Sequence, residues 1–118
     1  MSLFDLLKSP ATKDASGLPA IDAATARRWH GDEGCVFVDI REEAEFRAEH
    51  ISGAQLAPLS RLEQALAEKS KTAKTVFYCL GGTRTQANAA RLAGCGIADA
   101  YLLAGGIRAW KAEGGPTE

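Results

Sequence analysis

The sequence predicts an α/β fold: a three-layer α/β/α sandwich built on a five-stranded, mainly parallel sheet. Three observations predict it. Short β-branched apolar runs, Cys35-Val-Phe-Val-Asp39 and Thr75-Val-Phe-Tyr-Cys79, have the length and character of strands buried on both faces. Stretches with helical signals alternate with them, the order that places helices over a parallel sheet. The chain has 118 residues, 46% apolar and 25% charged, which suffices for one hydrophobic core and not for two.

Taken in order, residues 1–18 read as a loosely held N-terminal arm, with one apolar group (Leu3, Phe4, Leu6, Leu7) able to form a helical turn. Met1, Ser2 and Leu3 are compatible with a vector-derived start. Residues 19–118 read as the single domain. Ala20-Ile21 is a brief strand, and Asp22 is placed to cap a helix from Ala23 to Trp29. After the Cys35–Asp39 strand, Glu42 to Ala48 is helical, with Glu42 and Glu43 in the first turn where the macrodipole favours acids. Gly53 to Ala57 reads as another short strand, closed off by Pro58. Ser60 with Glu63 has capping-box spacing, and Leu62, Ala65 and Leu66 line one face of the helix that follows. Thr75–Cys79 is the clearest strand. Beyond its glycine-rich loop, an alanine-rich helix is expected from Thr85 to Ala93, stopped by Gly94 and Gly96. Tyr101–Leu103 is the last strand, and Ile107–Glu113 the last helix, ended by Gly114-Gly115-Pro116.

Composition narrows the function. Fourteen basic and fifteen acidic residues are interspersed, giving a net charge of −1 and no basic stripe for nucleic acid or polybasic membrane patch. No apolar run approaches a membrane span and no signal-peptide order is present, so a cytoplasmic location is expected. Cys35, Cys79 and Cys95 form no C-x-x-C pair, and His30 and His50 stand alone, so no metal site is expected. Three free thiols remain, and one of them stands apart.

Cys79 leaves the strongest strand and enters Cys79-Leu80-Gly81-Gly82-Thr83-Arg84-Thr85, with a helix expected directly after Arg84. In parallel sheets ligands bind beyond the carboxyl ends of the strands, which is where this loop falls. Successive N–H groups of such a loop and the helix start that follows it both favour a thiolate. Gly81 and Gly82 remove Cβ atoms from a tight turn. Arg84 adds a fixed charge that attracts an anion or braces the loop, and Thr85 is placed to cap the helix with its hydroxyl toward the site. Asp39 and Arg41 end a central strand on the same side, so they are read as a charge-paired support, and Arg41 with Glu45 as an i,i+4 brace. His50 is read as part of a structural turn, and Trp110 as core.

Three segments resemble the rhodanese domains. Asp39-Ile-Arg41 with Glu45-Phe46 and His50-Ile51-x-Gly53-Ala54 is similar to the N-terminal signature of that family. Cys79 to Arg84 is similar to its six-residue active-site loop. Leu103-x-Gly105-Gly106-x-x-x-Trp110-x-x-x-Gly114 is similar to its C-terminal signature. The resemblance implies a sulfurtransferase that needs no cofactor. Cys79 would take sulfane sulfur from thiosulfate or another persulfide donor and pass it to cyanide or a thiol. Leu80, Gly81, Gly82, Thr83, Arg84 and Thr85 would bind the donor, with Asp39 and Arg41 in support. Leu80 stands where many members carry a polar or basic residue. With Arg84 as the loop's one cation, affinity for thiosulfate is expected to be modest and a protein or low-molecular-weight persulfide becomes a candidate donor. Two rivals share the scaffold. A non-catalytic partner-binding module is disfavoured by the presence of Cys79. A phosphatase or arsenate reductase needs five residues between cysteine and arginine to surround an oxyanion, whereas Cys79 and Arg84 enclose four.

Overall fold

A computed structural model describes residues 11–13 and 18–118. The helical turn expected at Leu3–Leu7 lies outside these residues. In chain order the elements are β1 (Ala11–Lys13), β2 (Pro19–Ile21), α1 (Ala23–Trp29), β3 (Cys35–Asp39), α2 (Glu43–Ala48) and β4 (Gln55–Leu56). A 3₁₀ turn (Leu59–Arg61) leads into α3 (Leu62–Ala67), followed by β5 (Lys74–Tyr78), α4 (Thr83–Ala87), α5 (Ala89–Ala93), β6 (Ala100–Leu103) and α6 (Gly106–Ala112).

The sheet runs β1-β2-β6-β5-β3-β4. The five strands from β2 to β4 in that order are parallel, as the sequence predicts. Ala11–Lys13, within the segment expected to be an arm, adds an antiparallel edge strand to β2. Strand β3 leads through α2 outward to β4, whereas β5 leads through α4 and α5 the opposite way to β6. The loops leaving β3 and β5 therefore diverge, and the crevice between them is the switch point where ligands bind in such sheets.

Side chains alternate across the sheet with the period of two that extended backbone imposes. Val38, Phe77 and Cys79 face one layer, packed with Leu62, Leu66, Ala89 and Leu92 from α3 and α5. Phe37, Val76 and Tyr78 face the other, against Ala23 and Ala26 of α1 and Ile107 and Trp110 of α6. Asp22 caps α1 as expected, its Oδ1 accepting the Thr25 N–H at 2.8 Å. Trp110 is fully buried and its indole N–H donates to the Pro116 carbonyl at 2.9 Å, which folds the C-terminal segment over the ring.

Three local expectations are corrected. Ser60 and Glu63 form no capping box: the Ser60 hydroxyl donates to Glu42 at 2.6 Å, and Glu63 accepts from Arg91 at 2.7 Å. Partners distant in sequence outcompete the local pair. The strand expected over Gly53–Ala57 shrinks to two residues, because β4 lies at the sheet edge and pairs only with Val38 and Asp39. The helix expected at 85–93 begins two residues earlier and is broken at Asn88. The Asn88 side-chain amide donates to the Arg84 carbonyl at 2.8 Å, an alternative to continued helix that asparagine offers the backbone.

At the end of β3, Arg41 and Asp39 form a bidentate pair at 2.7–3.1 Å, only 5% and 0% exposed. A second arm of contact ties the Arg41 guanidinium to the Glu49 carbonyl at 2.6 Å. Asp39→Ala leaves that guanidinium buried and unpaired, so urea denaturation should show a loss of about 3–5 kcal/mol. Arg47→Ala breaks only an exposed i,i+4 pair with Glu43 and should change stability by less than ~0.5 kcal/mol. A loss below about 1 kcal/mol for Asp39→Ala would mean that the pair is not what secures this strand end.

Candidate active site

Cys79 is the first residue past β5, the strand flanked by β3 and β6 at the middle of the sheet. Its side chain is nearly enclosed, 1% exposed. The chain turns back through Gly81 and Gly82. The Gly82 φ of +97° is a left-handed conformation that disfavours other residues, and a Cβ there would stand 3.0 Å from the Gly105 nitrogen. This turn brings the Gly82 N–H to the Cys79 sulfur at 3.1 Å. The amides of Gly81, Thr83 and Arg84 have no acceptor among the described residues.

Helix α4 starts at Thr83 rather than after Arg84, so Thr85 lies inside its first turn and does not cap it. Thr85 is nevertheless buried beside the sulfur: its Oγ1 is 3.9 Å from Cys79 Sγ and donates to the Gly82 carbonyl at 3.0 Å. That bond closes the loop on itself. The proximity expected for its hydroxyl is therefore present, by a different local geometry.

A second loop supports the first. Ile107 N–H donates to the Cys79 carbonyl at 2.9 Å, and Arg108 N–H to the Leu80 carbonyl at 3.1 Å. The approach requires Gly106, with φ +60°, because a Cβ there would collide with the Cys79 carbonyl and lie 2.6 Å from that of Leu80. Leu80 itself is partly buried and packs with the α6 side of the core.

The ion pairs differ from the sequence expectation. Arg41 does not brace Glu45: it is committed to Asp39, two residues away and sharing its burial. Glu45 instead forms a two-pronged pair with Arg84, at 2.8 and 2.9 Å. The Arg84 hydrogen bonds hold the Glu45 carboxyl down to about 2. Arg84 thus braces the loop against α2. Tyr78 ties the same region together, its buried hydroxyl accepting the Ile51 N–H at 3.0 Å. Burial and the neighbouring Asp39 charge push its phenol well above the usual value, so it stays protonated.

His50 is structural as expected. Its ring stacks on Phe46 at 3.8 Å, Nδ1 lies 2.8 Å from the Phe46 carbonyl, and its backbone pairs with Glu118. Burial pushes the Cys35 and Cys95 thiols up, away from the thiolate form. Among the described residues, no cluster of three His, Cys, Asp or Glu residues is placed to hold a metal, and no helix is long and apolar enough to cross a membrane. Two residues at the loop escape a reading by motif, Glu45 as the partner of Arg84 and Arg108 above Gly81. The Gly105-Gly106 pair was the available signal for Arg108, since close approach by glycines carries the following residues with it.

Comparison with known proteins places the chain in a family. Residues 22–113 match the Rhodanese-like domain family. The uncharacterized protein slr1261 of Synechocystis is 34% identical over 79% of this chain, which spans only about half (52%) of that protein. Thiosulfate sulfurtransferase GlpE of Pseudomonas putida is 36% identical, over 68% of this chain and 73% of GlpE. The crystal structure of thiosulfate sulfurtransferase from Pseudomonas aeruginosa superposes with a TM-score of 0.76 at 31% identity, covering 93% of this chain and 20% of that one. With more than half of its length matched by the family, and with the α/β fold of its solved relatives, the chain belongs to the rhodanese-like domain family.

Proposed function

We propose that the protein is a sulfurtransferase that carries sulfane sulfur as a persulfide on Cys79. The observation that carries this reading is the Gly82 N–H directed at the Cys79 sulfur, 3.1 Å away, within a six-residue loop. A donor at that distance stabilises a sulfur anion at the point where charge must be held. The Cys79 thiolate attacks the outer sulfur of thiosulfate. The S–S bond breaks, sulfite departs with the electron pair, and Cys79–S–S⁻ remains. Cyanide or a thiolate then attacks the outer sulfur, taking it as thiocyanate or a new persulfide and returning the Cys79 thiolate.

Both steps exchange one anionic nucleophile for another, so neither calls for a general acid. What they need is a constant set of donors. The outer persulfide sulfur extends about 2 Å beyond Sγ, toward the turn in which the amides of Gly81, Thr83 and Arg84 are uncommitted. These supply the additional donors, and Thr85 keeps the turn closed through its bond to Gly82. The enclosure of Cys79 favours small sulfur donors over bulky ones. Asp39 and Arg41 act by holding the end of β3, and Arg84 by holding the loop to Glu45. Residues 19–118 form the catalytic unit, and Ala11–Lys13 extends its sheet as an edge strand.

The phosphatase reading is weaker on two counts. Four residues between Cys79 and Arg84 suit one sulfur atom better than a tetrahedral oxyanion, and the Arg84 guanidinium is occupied by Glu45.

Cys79→Ala should abolish thiocyanate formation from thiosulfate and cyanide, and intact mass after thiosulfate treatment should show one added sulfur on the wild type alone. Equal rates for the two proteins would refute the proposal. Gly82→Ala strains the left-handed turn and misplaces the N–H, so kcat/KM should fall by roughly tenfold or more while the far-ultraviolet spectrum stays native. The Glu45 carboxyl sits at about 2 in the folded protein against an ordinary 4.5. Its contribution is therefore complete above pH 4.5 and disappears as pH falls toward 2. Because the pair is half-exposed, Glu45→Gln should cost less than ~1 kcal/mol at pH 7 and flatten the stability profile across that acid window. An unchanged profile would exclude the brace.

A further inference from the structure

Arg108 belongs to none of the motifs around the loop, yet the backbone pins it there. Its N–H donates to the Leu80 carbonyl at 3.1 Å, one residue from the nucleophile. Its guanidinium Nη1 lies 3.8 Å from where a Cβ on Gly81 would stand, so the group rests over the turn itself. The other arginines at this end of the sheet are neutralised: Arg41 by Asp39 and Arg84 by Glu45. The exposed Arg108 side chain has no carboxylate partner among the described residues. Among the described residues, its charge is the uncompensated one above the loop. Helix α6 places its next cation, Lys111, against Glu49 and so adds nothing to the same spot.

We propose that Arg108 is the specificity-determining residue for the charge of the sulfur donor, drawing the anionic end of a small donor to the loop beside Cys79. The inference rests on the sulfurtransferase reading and identifies what that reading lacks, a cation free to meet the substrate. A guanidinium presents several N–H donors in a fork that fits the oxygens of a sulfonate. Gly81, by lacking a side chain, puts no atom between this group and the loop backbone. The sulfonate of thiosulfate would sit under Arg108 while its outer sulfur points to Cys79. The role is in binding, so it acts on KM more than on kcat.

Thiosulfate titrated into Cys79→Ala, which leaves the donor intact, tests this directly through the amide resonances of Gly81 and Gly82. A saturable shift is expected, with Kd raised about fivefold by adding Arg108→Ala, restored largely by Arg108→Lys, and the difference shrinking in high salt. With Cys79 present, Arg108→Ala should raise KM for thiosulfate by a similar factor and leave kcat within about twofold. Loop amides that do not respond to thiosulfate, or a Kd indifferent to Arg108→Ala, would overturn the assignment. The two readings fail separately. If the wild type releases no sulfite while Arg108→Ala still weakens thiosulfate binding, sulfur transfer is refuted and the anion-recruiting role of Arg108 stands.

Discussion

The position of the Cys79 sulfur depends on one close approach, that of the Gly105-Gly106 turn to the backbone of Cys79 and Leu80. Ile107 and Arg108 donate to those two carbonyls, which lie beyond the last paired residue of β5 and would otherwise be buried without partners. Gly106 is the only residue type that permits the contact, since its backbone is left-handed and a Cβ would enter the Cys79 carbonyl. Through this contact the last helix of the chain, anchored by Trp110 in the core, sets the height of the loop above the sheet. The loop is thereby fixed at its start.

Two further constraints fix the rest. Thr85 and the Gly82 carbonyl close the turn from within, while Arg84 and Glu45 fasten its far end to α2. Helix α2 has no buried residue of its own. Its place comes from polar contacts on both sides: Arg41 reaching the Glu49 carbonyl, Glu42 receiving Ser60, and Glu45 receiving Arg84. The site is therefore held by a frame of hydrogen bonds around a short cysteine loop, with an apolar core on either side of the sheet. Such a frame suits the proposed chemistry, in which an anion is held still and no proton is moved.

Much of the fold was legible because its signals are local. The Cys35–Asp39 and Thr75–Cys79 strands announce themselves by β-branched apolar runs, and Asp22 caps α1 through a bond to a residue three positions on. The misread details share one cause, competition from a distant partner or from an unforeseen side chain. Ser60 prefers Glu42 to Glu63, Glu45 prefers Arg84 to Arg41, and Asn88 interrupts a helix that alanine content favours. Glu45 and Arg84 are separated by 39 positions, and no spacing rule for helices or strands reaches so far.

By itself the sequence determined that one cysteine of three sits on a glycine-bearing loop between a buried strand and a helix, with four residues between it and an arginine. Those properties follow from residue types and their order, which act on the backbone next to them. Only the tertiary structure decided the electrostatics. It took Arg84, the cation of the Cys79 loop, and neutralised it with Glu45, and it set Arg108 over Gly81 through a glycine turn that follows β6. Charge acts through space, so which arginine faces the loop is settled by packing and not by position along the chain.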